Sequence, residues 1–180
     1  MVFKKILVAL DRSSQTSVVF AQALAIAQAY KSKLLLFHCL DRNEEVNPLL
    51  GIGTLADVHM YGTLHQLHQE NLQQEIEKVR DWLKTYCKQA AAKGIIAEFD
   101  CKVGNPNLRI CEEVKNKNVD LIVLGRRGHR GLSEIFLGSV SNYVIHYAPC
   151  SVLVVQGIVS SETEALNTVN QIQDTRSRGL

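Results

Sequence analysis

Short apolar runs along this chain alternate with longer segments whose apolar positions recur every three to five residues. Ile6 to Leu10 is one such run and closes on Asp11; Arg12-Ser13-Ser14 then offers helix N-caps before an alanine-rich segment with Val18, Leu24 and Ala27 at helical spacing. Leu34 to Leu40 is a second run. Runs without polar alternation predict strands buried on both faces, as in parallel sheets. Further on, Ile95, Ala97, Phe99, Cys101 and Val103 alternate with mostly polar neighbours and predict a third strand with one less buried face. Asn105-Pro106 reads as N-cap and first residue of a helix with Leu108, Cys111 and Val114 on its inner side. Val119 to Leu124 predicts a fourth strand, Ser139 to Tyr147 a helix, and Val152 to Val155 a fifth strand after Pro149.

Between the second and third strands the pattern changes. Residues 41–62 hold Asn47-Pro48, Gly51-Ile52-Gly53 and no steady period, which predicts an inserted loop or lid longer than most connections. Leu64, Leu67, Leu72, Ile76, Val79 and Leu83 then predict a long helix capped near Gly94. Residues 157–180 are rich in Ser, Thr, Asn and Gln and read as a loosely held tail beyond one domain at 1–156. Strands alternating with helices predict an α/β fold, a Rossmann-like open sheet that is parallel and doubly wound, with helices on both faces. In such sheets ligands sit at the carboxyl ends of the strands where the strand order reverses. Asp11, after the first strand, and Gly125, after the fourth, occupy that address.

Composition narrows the partners. A net charge of +2 on 180 residues gives no broad basic field, so neither nucleic acid nor a membrane surface is indicated. The five cysteines are scattered with no C-x-x-C pair, which reads as reduced thiols in a reducing, cytoplasmic setting. The start MVFKKILVALD is too short in apolar residues for a signal-peptide core, and no later run reaches membrane-spanning length. His65 and His68 lie three apart on the long helix, but no cysteine or paired carboxylate completes a ligand set, and His38 in its apolar run reads as a packing histidine.

The chemistry concentrates in LGRRGHRGLSEIFLGSVSN, Leu124 to Asn142. Gly125, Gly128 and Gly138 form a G-x2-G-x9-G pattern followed by Ser139 at a predicted helix start. Glycines let backbone amides approach an anion closely, a helix start adds free N–H groups and a positive dipole end, and Ser139 and Ser141 add hydroxyls. Arg126, Arg127, Arg130 and His129 supply charge suited to a polyphosphate. There is no Gly-Lys-Ser/Thr and no G-x-G-x-x-G, so neither a Walker A loop nor a dinucleotide fingerprint is present.

With ILVALD, LLLFHCLD and VDLIVLGRRGHRGLSEIFLGSVSNYVIHYAPCSVLVV in place, the chain from about Lys4 to Val155 resembles the universal stress proteins of the ATP-binding type. The resemblance implies a five-stranded sheet of order 3-2-1-4-5 and an adenine nucleotide, ATP, ADP or AMP, in the crevice. It implies that Asp11 meets the ribose or a phosphate-bound Mg2+. Ala9 and Cys39 would flank the adenine, Leu124 and Gly125 the adenosine, and Gly128, Gly138, Ser139, Val140 and Ser141 the phosphates, with Arg127 nearby. It further implies a homodimer through Val152, Leu153, Val154 and Val155, since an apolar edge strand needs a cover. The leading reading is a nucleotide-regulated stress-response factor with an unknown protein partner. Slow ATP hydrolysis, for which no residue near the motif is an obvious base, and a scaffold with a vestigial pocket are the alternatives.

Overall fold

The structure is a computed structural model and describes residues 3–41, 55–126 and 137–156, with the backbone alone for 55–63. Among these residues five strands and four helices alternate in the order β1 (Lys5–Ala9), α1 (Thr16–Tyr30), β2 (Lys33–Leu40), α2 (Leu55–Ala91), β3 (Ala97–Val103), α3 (Pro106–Lys117), β4 (Leu121–Gly125), α4 (Ser139–Tyr147) and β5 (Ser151–Val155). All strand pairs are parallel, and the sheet runs β3-β2-β1-β4-β5. The order reverses between β1 and β4, where Ala9 lies beside Leu124.

The unbroken apolar runs are explained by the pleat, which sends successive residues to opposite faces. Ile6, Val8, Leu34, Leu36 and Val123 join Phe20, Leu24, Val79 and Leu83 under α1 and α2. Leu7, Leu35, Phe37, Ile122 and Leu124 join Ile110, Val114 and Val144 under α3 and α4. Each central strand thus needs apolar residues at every position, and the sheet is wound on both faces.

The two edges differ. β3 carries Glu98, Asp100 and Lys102, with Lys102 paired to Asp100 at 3.1 Å, and charges of this kind guard an edge against pairing with another chain. β5 offers Val152, Leu153 and Val154, half-buried and without a charge.

Local signals were met unevenly. Asn105 caps α3 by accepting the Asn107 amide at 2.9 Å, with Pro106 in the first turn, and Gly94 takes φ 73° just after α2. Four expectations need correction. Helix α2 begins at Leu55, inside the stretch expected as an insert, so only 42–54, with Asn-Pro and Gly-Ile-Gly, lies outside the described residues. One glycine, Gly62, costs a long helix about 1 kcal/mol and does not end it. Leu64 and Leu67 are 56% and 50% exposed, and burial of α2 becomes complete only at Val79 and Leu83. Leu108 is likewise exposed, and Ile110 takes its place inside. No serine caps α1: Gln15 stands at its N-cap without a side-chain bond, because Ser13 is engaged elsewhere.

Candidate functional site

The carboxyl ends of β1 and β4 form the crevice. β1 leaves the sheet held from two sides: the Leu10 amide donates to the Phe37 carbonyl at 2.9 Å, and the Leu10 carbonyl accepts from His38 Nδ1 at 2.7 Å. His38 is therefore a satisfied packing histidine, and its bond fixes the direction in which the next residue emerges. That residue is Asp11, whose Oδ1 accepts from the Ser13 amide at 3.2 Å and the Ser13 hydroxyl at 2.6 Å. The Ser13 hydroxyl in turn accepts from the Gln15 amide at 3.3 Å. One carboxylate oxygen is thus used to build the turn, and Oδ2 makes no hydrogen bond among the described residues.

Across the crevice the two described ends of the glycine-punctuated stretch meet. The Arg126 amide donates to the Val155 carbonyl at 2.8 Å, and the Gly138 amide donates to the Arg126 carbonyl at 2.9 Å. The hydroxyl of Ser141, buried on α4, donates to the Gly125 carbonyl at 2.7 Å and lies 3.3 Å from that of Arg126. The first and last glycines of the motif, separated by twelve residues in sequence, are therefore held side by side. Arg127 and Gly128, together with His129 and Arg130, lie outside the described residues.

Gly138 is the N-cap of α4 and makes no side-chain bond, and the first intrahelical bond is from Asn142 to the Gly138 carbonyl at 2.9 Å. The amides of Ser139, Val140 and Ser141 have no helical acceptor, which is the local chemistry of an anion site at a helix start. Ser141 spends its hydroxyl on the loop, so the exposed Ser139 hydroxyl is the one turned to solvent.

The floor of the crevice is apolar. Ala9, Cys39 and Val140 pack, half-buried, against the same cluster as the buried Leu124, so three residues expected around the adenosine and one expected at the phosphates share one face of the sheet. Cys39 Sγ donates to the Gly104 carbonyl at 3.2 Å, and burial pushes its pKa up to about 12, with Cys101 and Asp41 adding to the rise and Arg109 opposing it. Cys39 is an uncharged wall, not a nucleophile. Its alkylation by iodoacetamide at neutral pH, followed by mass spectrometry, is expected to run about a thousandfold slower than that of a free thiol. The sign for stability follows: the folded thiol keeps a proton that an unfolded one loses above 9.0, so this contribution is complete below that pH and is lost as pH rises toward 12. Urea unfolding of the protein and of Cys39→Val between pH 8 and 11 checks it, the variant lacking that part of the decline.

Residues 2–156 match the family model described as the universal stress protein family. The chain belongs to the universal stress protein family. Among curated relatives, universal stress protein Sll1388 of Synechocystis is 40% identical over 164 residues, covering 87% of this chain and 99% of that one. The solved structure of hypothetical protein MJ0577 superposes with a TM-score of 0.72 at 23% identity, covering 89% and 100% of the two chains. A universal stress protein in complex with cAMP gives 0.58 at 21% identity, covering 86% and 98%. A family member from Arabidopsis thaliana with AMP bound gives 0.55 at 20%, covering 88% and 94%. These structural likenesses carry the fold, and the universal stress protein sheet order is the one found here.

No group of three His, Cys, Asp or Glu able to hold a metal occurs among the described residues. Ser13 and Arg12 were legible only as helix-start residues; the Asp-x-Ser spacing is the signal that marks an Asx-type turn instead.

Proposed function

We propose that this chain binds an adenine nucleotide in the crevice between β1 and β4 and acts as a dimeric regulatory factor of the stress response. The observation that carries the reading is the junction of the two motif ends: Gly125 and Gly138 held together by Ser141 and Arg126, with the free amides of α4 at the mouth. Ala9, Cys39 and Leu124 supply an apolar seat for adenine, the amides of Ser139, Val140 and Ser141 supply donors for phosphate, and Gly138, whose own amide is engaged with Arg126, keeps the approach to them open. Gly125 brings backbone close to the ribose, and Arg127 and Gly128 belong to the same proposed set. AMP in the Arabidopsis protein and cAMP in another family member support the choice of adenine. Asp11 Oδ2, which the turn leaves unused, would meet a ribose hydroxyl or a phosphate-bound Mg2+. A single carboxylate suits Mg2+, which is commonly held by one or two carboxylates, substrate phosphates and water. The metal would draw charge off the phosphates, while this chain orients them.

The test is mass spectrometry of small molecules carried through purification, paired with thermal unfolding in added nucleotide. An adenine nucleotide is expected in the first, and stabilisation approaching about 4 kcal/mol at a thousandfold over Kd in the second. No response to ATP, ADP, AMP or cAMP overturns the reading.

The homodimer rests on the uncharged edge of β5. Val152 and Val154 pack on the α3–α4 side and Leu153 on the α1–α2 side, so the strand's free backbone edge is left for a partner. Leu153→Asp is expected to shift the sedimentation coefficient from dimer to monomer while far-UV circular dichroism is kept. A dimer that persists in that variant places the interface elsewhere.

A further inference from the structure

Arg12 follows Asp11 directly, yet its side chain turns to α2. Its guanidinium carbon lies 5.8 Å from the centre of the Trp82 ring, and Nη1 is 3.8 Å from Glu75 Oε1. Both contacts are at the outer limit for their kind, and the two side chains of the pair are 36% and 53% exposed. Such contacts are individually weak. Trp82 is anchored more firmly, edge-on to His38 at 5.6 Å and to Tyr86 at 5.4 Å, and Tyr86 meets Phe20 of the core at 4.8 Å. His38 also holds the carbonyl of Leu10, the residue before Asp11. The crevice loop and α2 are therefore joined twice: rigidly through His38 and Trp82, and loosely through Arg12.

Helix α2 is also long enough to matter. Its 37 residues span about 55 Å, whereas the eight residues of β2 span about 27 Å. Val79, Trp82 and Leu83 mark where it meets the core, and the part before Leu72 carries exposed Leu64 and Leu67.

We propose that Arg12 reads the phosphate tail of the bound nucleotide: a diphosphate or triphosphate draws its guanidinium from Glu75 and Trp82, and a monophosphate does not. A planar guanidinium forms two parallel charge-assisted hydrogen bonds to a phosphate, a stronger arrangement than one loose exposed pair. Its swing removes the cation from the Trp82 ring and leaves Glu75 uncompensated on α2, so the helix senses how many phosphates the crevice holds. The inference rests on the nucleotide reading above and deepens it by naming the discriminating residue.

The experiment uses the full chain, in which Trp82 is the one tryptophan. Calorimetry measures ATP and AMP binding, and tryptophan emission is followed in the same titrations; AMP absorbs as ATP does and so controls for optical screening. ATP is expected to change Trp82 emission and AMP to leave it nearly constant. Glu75→Gln removes the competing carboxylate and is expected to tighten ATP about twofold to fivefold. Arg12→Gln is expected to cut the ratio of ATP to AMP affinity about tenfold and to erase the ATP-specific emission change, with partial rescue by Arg12→Lys. Equal emission changes for the two nucleotides, or an ATP preference that survives Arg12→Gln, overturns the proposal while leaving nucleotide binding intact. Calorimetry without heat for either nucleotide overturns both.

Discussion

Gly138→Val is expected to abolish nucleotide-dependent stabilisation while the protein stays folded. Gly138 has φ −60° and ψ 152°, an extended conformation that a β-branched residue adopts without strain. Its glycine identity is therefore not a backbone requirement, and its amide can still donate to Arg126. The folded protein loses only the N-cap preference for glycine over valine, on the order of 1 kcal/mol. A branched side chain at the mouth of α4, however, occupies the space through which a phosphate reaches the amides of Ser139 and Val140. Thermal unfolding at a fixed excess of ATP separates the two effects. The parent is expected to gain about 4 kcal/mol at a thousandfold over Kd, and the variant nothing, with unchanged far-UV circular dichroism. A full gain in the variant removes the α4 mouth from the site; unfolding of the variant makes Gly138 a structural residue.

The parts of the fold that were legible in advance were those buried on both sides. Ile6 to Leu10 and Leu34 to Leu40 have apolar residues at every step because α1 and α2 cover one face while α3 and α4 cover the other. The start of α2 was not legible, since exposed turns of a helix need no inward stripe: Leu64 and Leu67 are exposed, unlike Val79 and Leu83. Ser13 was misread because a serine near a helix start resembles a cap, while here the carboxylate of Asp11 claims it first. In the site, the spacing of Gly125 and Gly138 told nothing about whether the ends of the loop meet; that depends on Ser141 and Val155, which belong to two other elements. The order of the strands likewise came from family resemblance, since periodicity carries no information on which strands are neighbours. The link from Arg12 to Glu75 and Trp82 spans more than sixty residues and leaves no local trace.

The largest loss of stability is expected from Phe37→Ala. Phe37 is 1% exposed and sits in the middle strand pair, facing Ala9 of β1 in register, within the cluster that includes Ile110, Leu124 and Val144. Removing a fully buried phenyl ring costs about 3–5 kcal/mol, part lost transfer free energy and part the cavity left behind. With an m-value of about 2–3 kcal/mol/M for urea, the midpoint falls by about 1–2 M. Phe99 of β3 is the control, because it is only partly buried at the sheet edge, and Phe99→Ala is expected to cost clearly less. Position also separates the two in binding. The Phe37 cavity opens beneath Ala9 and Leu124, the proposed seat of the adenine, so ATP should restore less stability to Phe37→Ala than to Phe99→Ala at the same concentration. Equal midpoints and equal recovery in the two variants would mean that the floor of the crevice is not set by this cluster, and that the nucleotide is held by the α4 mouth alone.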